Sequence, residues 1–118
     1  MSKPTLLILV LMVILTTAFI TYMTNTNKNA YKPGSWPEAD KAVGQANHLY
    51  NTKKAQGVDF SSGPCLSNDL VPNWVADIAH SPRVEEDDLS QNQCPAYIEG
   101  RSKHFVELDL EGNLIRVK

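Results

Sequence analysis

HFVELDLEGNLIRVK, residues 104–118, decides the fold class. Two β-prone runs flank DLEG, which fits a type I turn that starts at Asp109 and carries Gly112 in the left-handed conformation, the usual three-residue hairpin loop with a bulge. The pattern predicts a hairpin from about His104 to Val117, with Phe105 opposite Val117 and Val106 opposite Arg116. A terminal hairpin needs a partner layer, and the sequence upstream supplies one.

Ser35 and Glu38 have the spacing of a capping box, and Pro37 is tolerable in a first helical turn. Ala39, Ala42, Val43, Ala46, Leu49 and Tyr50 then recur at three- and four-residue intervals, which predicts a helix from about Trp36 to Gln56 that stops at Gly57. The stripe is mostly alanine, so whatever packs on it comes close. His48 lies almost opposite the stripe and is expected to face solvent.

Between helix and hairpin, NWVADIAH (73–80) alternates Trp74, Ala76 and Ile78 against Val75, Asp77 and Ala79. Pro72 and Pro82 bracket a run too short for a stable helix, so it reads as a strand. Residues 57–72 read as irregular. Residues 81–93 are polar and acidic, with the run EEDD, and read as a long surface loop; a docking surface for a basic partner is the second reading of that run. The expected architecture is α+β: one amphipathic helix packed on a short antiparallel sheet that ends in the hairpin, over residues 35–118.

The amino-terminal quarter is different in kind. TLLILVLMVILTTAFITYM, residues 5–23, carries no charge, and as a helix its 19 residues would span roughly 28 Å. It reads as an uncleaved transmembrane signal anchor, with residues 1–4 a cytoplasmic stub and residues 24–34, rich in Asn and Thr, a linker to an extracytoplasmic domain. The flanking lysines, Lys3 before the helix and Lys28 and Lys32 after it, do not decide the orientation; the helix's place near the amino terminus does, with the amino end in the cytoplasm. The alternative is a signal peptide cleaved near Ala18, after Thr16 and Thr17, which releases a secreted domain. A buried core helix is disfavoured, because a domain of this size cannot enclose a helix that is apolar all round.

Thirteen acidic and eleven basic residues give a net charge of −2. They are well mixed and form no basic stripe, so a nucleic-acid partner is not expected. Cys65 and Cys94 are the only cysteines. Export places them in an oxidising compartment, and their spacing matches no C-x-x-C, haem or zinc-knuckle pattern, so a disulfide is expected. Closing a loop of about 30 residues is worth roughly 3.5 kcal/mol in the chain-entropy picture. The functional rival is a cysteine nucleophile served by His80 or His104.

His80 and His104 could approach one another if their strands pair, with Asp77, Glu85, Glu86, Asp87 and Asp88 near His80 in the chain. Such a cluster is a weak candidate for a divalent metal, although its spacing matches no metal motif. Nucleophile elbows, phosphate-cradling glycine loops, H-E-x-x-H and EF-hand patterns are missing, so no catalytic residue and no cofactor is expected. Trp36 and Trp74 read as packing residues.

The order of parts, an apolar amino-terminal helix, a spacer, an amphipathic helix, a disulfide loop and a terminal hairpin, resembles the layout of type IV pilins and pseudopilins. The family's leader glycine and fifth-position glutamate have no counterpart in Met1–Pro4 or the apolar run, so no functional residue carries over. GPCLSNDL, WVADIAHSPR and HFVELDLEGNLIRV also look like segments of small bacterial membrane-anchored proteins, a likeness that implies no activity. The expectation is a single-pass, membrane-anchored, non-enzymatic binding or assembly subunit with a protein partner in the cell envelope. The alternative is an envelope enzyme or a small-ligand or metal binder that uses His80, His104 and nearby carboxylates.

Overall fold

The computed structural model describes residues 1–26 and 30–118. The chain forms two units, Met1–Ala30 and Tyr31–Lys118. The first contains helix α1, Lys3–Thr26, of which Lys3–Met23 is long and apolar enough to cross a membrane. Thr16, Thr17 and Thr21 suit an apolar medium, because their hydroxyls bond inside the helix. Thr16 Oγ1 donates to the carbonyl of Val13 at 2.9 Å, Thr17 to that of Ile14 at 2.9 Å and Thr21 to that of Thr17 at 2.8 Å. Of the linker expected at 24–34, residues 27–29 and with them Lys28 lie outside the described residues, and Tyr31–Gly34 belong to the second unit.

That unit is α+β. It contains α2 (Pro37–Ala55), β1 (Cys65–Val71), β2 (Trp74–Ile78), a short α3 (Pro95–Ile98), β3 (His104–Leu108) and β4 (Leu114–Val117). The four strands lie in chain order in one sheet, and the outer pairs are antiparallel. The central pair, β2 and β3, is parallel, so the sheet is mixed where a wholly antiparallel one was expected. The physical reason is the length of the connection: residues 79–103 are enough for a crossover, which a parallel pair requires and a hairpin does not.

Helix α2 lies within one residue of its predicted ends. Ala39, Ala42 and Ala46 are fully buried with Tyr50 against Trp74, Ala76, Ile78, Val106 and Leu108 on one face of the sheet. Glu38 and Asp40 in the first turn and Lys53 and Lys54 in the last complement the helix dipole. The expected capping box does not form, because Trp36 takes the cap position and its indole has no acceptor. Ser35 Oγ donates instead to the Lys32 carbonyl, and the Asp40 carboxylate accepts the Gly34 amide and the Tyr31 hydroxyl.

The terminal turn forms as predicted at its tip. The Gly112 amide donates to the Asp109 carbonyl at 3.0 Å, and Gly112 has φ +89°. A Cβ there would stand 2.5 Å from the Tyr50 ring, so glycine is required twice over. Leu108 faces Leu114, the register that the turn dictates, but a bulge then takes up one residue and Glu107 faces Arg116, Val106 faces Val117. The expected pairings of Phe105 with Val117 and Val106 with Arg116 are therefore displaced by one residue. The bulge turns Arg116 to the face of Glu107.

Strand β1 falls where irregular chain was expected. Its link to β2 is the pair Pro72–Asn73, with Asn73 at φ +69°, as a type II turn requires. The chain from 81 to 93 is no plain solvated loop either. It contains 3-10 turns at Glu85–Asp88 and Ser90–Asn92, and it buries Asp87 and Asn92.

Candidate functional site

Cys65 and Cys94 form a disulfide. It pins the start of α3 to β1 on the sheet face opposite α2, where Val75, Cys94, Ala96 and Phe105 make a second small core. Asn68 of β1 reinforces the attachment, its side-chain oxygen accepting the Ala96 amide at 2.7 Å. The polar residues after Cys65 thus serve the crossover, which hid the strand that carries them.

His80 and His104 are not brought together. Because β2 and β3 are parallel, His104 sits beside Trp74 while His80 lies beyond Ile78, about six residues or roughly 20 Å along the strand direction. His104 stacks on Trp74 with ring centroids 4.7 Å apart and meets Trp36 edge-on. His48 is exposed on α2. Among the described residues no group of three His, Cys, Asp or Glu side chains is placed to hold a metal ion. A shared His80–His104 pocket is thereby removed, and the reason is strand direction.

His80 instead closes a knot with the acidic run. Asp87 is buried and accepts the His80 ring Nδ1 at 2.8 Å, the His80 amide at 3.1 Å and the Val84 amide at 3.0 Å. Burial opposes the charge on Asp87, but the Val84 amide and His80 outweigh it and hold the carboxyl below its ordinary range. The bond to Asp87 raises the pKa of His80 against desolvation, with Asp87 and Glu86 charges and a backbone bond at Ser61 adding to it. Gly63 makes room: at φ +69°, a Cβ there would stand 2.3 Å from the Asp87 carboxylate. The "GP" before Cys65 is a point of close approach.

Asp77, the third candidate, belongs to a different constellation. Strand alternation puts Val75 and Asp77 of β2 on the face away from α2, and the parallel register sets Phe105 and Glu107 of β3 beside them. The bulge adds Arg116 from β4, while the crossover brings Arg83, Gln93, Tyr97 and Ile98 over the top. Together they line a cleft of about 170 Å³.

The two carboxylates in it are treated unequally. Glu107 is buried and binds both arginines, Arg83 Nη1 at 3.0 Å and Arg116 Nε at 3.3 Å. Arg83 also grips Asp88 at 3.0 Å, and the Arg116 guanidinium lies 5.0 Å from the centroid of the Phe105 ring. Asp77 has no ion pair among the described residues, and its Oδ1 is buried without a hydrogen-bond partner. Burial foremost, then the charge of Glu107, pushes its pKa up to about 7; the Ile78 amide and Arg83 offset this only in part. The cleft therefore contains a carboxyl that changes charge near neutral pH beside one that is neutralised by arginine.

Of these residues Asp77 was a candidate from the sequence; Arg83, Glu107 and Arg116 were not. The alternation of HFVEL already placed Glu107 on the face of Phe105; only the parallel pairing and the bulge say what that face meets. Comparison with known proteins finds no family model, no curated protein and no solved structure that matches this chain.

Proposed function

We propose that this chain is a single-pass membrane protein that displays a disulfide-stapled α+β module outside the cytoplasm, as a non-enzymatic binding or assembly subunit of the cell envelope with a pilin-like order of parts. The carrying observation is the contrast between its two units. Lys3–Met23 exposes apolar side chains on every side, whereas Tyr31–Lys118 has its own core and a disulfide. Such a helix finds its solvent in a bilayer, and such a cross-link persists in an oxidising compartment. The cleft at Asp77 supplies the module with a binding feature: concave, with both apolar and charged side chains in its lining. An enzyme that depends on His80 and His104 acting together has lost its geometry, since the two rings lie at opposite ends of the sheet.

The test is the intact mass of the protein from a membrane fraction, with thiol alkylation before and after reduction, and protease treatment of sealed cells. The reading expects a full-length mass, alkylation only after reduction, and digestion of the domain from outside. A mass that starts near Phe19, free thiols before reduction, or a domain protected inside sealed cells would overturn it.

A further inference from the structure

We propose that the cleft between β2, β3, β4 and the crossover is a binding site for an aliphatic primary ammonium group, with Asp77 as its counter-ion. The inference rests on the reading of the chain as a binding module and names the chemistry of its ligand. Counting charges carries it. Arg83 and Arg116 are matched by Glu107 and Asp88, which leaves Asp77 as the carboxyl of the cleft without an ion pair among the described residues and with its Oδ1 free of hydrogen bonds. An ionised Asp77 beside Glu107 needs one more positive charge, and the protein places both nearby arginines on the neighbour instead.

An ammonium supplies that charge together with three donors. The other walls suit what an ammonium is attached to: Tyr97, Ile98 and Phe105 offer apolar surface to a short methylene stem. About 170 Å³ admits a ligand of roughly five or six heavy atoms, at ~30 Å³ for each water-sized group. An anion fits worse, because it would meet Asp77, Glu107 and Asp88 while both arginines are engaged.

Binding of a cation requires Asp77 to give up its proton, so affinity rises with pH. The charged groups that act on it are Glu107 on β3 and, from the crossover, Arg83 with Asp87 and Asp88 behind it, while Arg116 of β4 and the Tyr97 phenol line the same cleft. With Asp77 titrating at about 7, the ionised fraction, and the affinity with it, increases about tenfold from pH 6 to pH 8.

The experiment uses the full isotope-labelled chain in non-ionic detergent micelles. n-Butylammonium chloride is titrated against its neutral counterpart n-butanol at pH 6 and pH 8, reading the Asp77 carboxyl carbon and the amides of Val75, Tyr97 and Phe105. Saturable shifts with butylammonium alone, about tenfold tighter at pH 8 and lost in Asp77→Asn, are expected. Ile98→Trp, which fills the mouth of the cleft without touching its charges, should abolish them as well and serves if Asp77→Asn does not fold. A third arm with Nα-acetyl-lysine methylamide separates sources: tighter binding than butylammonium points to a lysine of a polypeptide, equal or weaker binding to a free amine. An equal response to butanol, pH-independent binding, or full binding by both variants overturns the proposal. A silent cleft in a chain that still passes the topology test leaves the tethered module standing, and a failed topology with saturable amine binding leaves the site standing.

Discussion

Replacing Asp77 with Asn should make the domain more stable, and only above mildly acidic pH. The cause is proton linkage. The carboxyl ionises near its ordinary value of 3.8 in the unfolded chain and at about 7 in the folded one. Between those pH values the native state holds the extra proton, so wild-type stability falls as pH rises and levels off above 7. A difference of about three pKa units corresponds to about 4 kcal/mol at 1.36 kcal/mol per unit, an upper bound because the cleft is partly open to water. Asparagine has the shape of the protonated acid and never ionises. The variant should match wild type near pH 4 and exceed it by about 2 to 4 kcal/mol at pH 8. Urea unfolding followed by the fluorescence of Trp36 and Trp74, on the full chain in non-ionic micelles, measures this at pH 4.5, 6 and 8. His80 also destabilises with rising pH, since its folded-state pKa is raised, but that loss sits above about 6.5 and is common to both proteins. Parallel curves for the two proteins, or a variant that is weaker at pH 8, would refute the account of Asp77.

Three further outcomes test the surrounding structure. His80→Ala should destabilise more at pH 5.5 than at pH 9, because a raised histidine pKa contributes fully below the unfolded value and is lost as pH climbs through the folded one; melting temperatures at the two pH values decide it. Replacing both Cys65 and Cys94 with serine should cost about 3.5 kcal/mol, the loop-closure value for a separation of 29 residues, read as a shift in the urea midpoint. Gly112→Ala should cost roughly 2 kcal/mol through its positive φ and the Tyr50 ring, whereas Gly44→Ala, in α2 with open space around it, should gain about 0.5 to 1 kcal/mol; a loss at Gly44 as large as that at Gly112 would contradict both.

What could be read in the sequence tracks how local the deciding physics is. The apolar run needs no tertiary partner to declare itself, and the alanine stripe of α2 and the DLEG turn carry their own periodicity and turn chemistry. Strand β1 was hidden because Ser67, Asn68 and Asp69 break the alternation. Asn68 caps α3, Ser67 Oγ accepts the Asp69 amide, and the ladder to β2 is irregular at two points. Only Pro72–Asn73 signalled a hairpin there. The acidic run misled for a related reason. Asp87 draws its donors from His80 and Val84, so a residue that reads as solvated is buried by bonds the composition does not reveal.

The cleft lies furthest from the sequence because it depends on two registers at once. Parallel pairing sets Asp77 beside Glu107 rather than at the far end of the sheet, and it is the same pairing that separates His80 from His104. The one-residue bulge in β3–β4 then decides which side chain of β4 joins them. Had the register of the turn continued unbroken, Arg116 would have stood opposite Val106, on the apolar face packed by the alanines of α2. With the bulge it reaches Glu107 and neutralises it. The unpaired state of Asp77 is thus the outcome of a competition for arginine that its neighbour wins by geometry, and the charge left over is what the proposed ammonium site rests on.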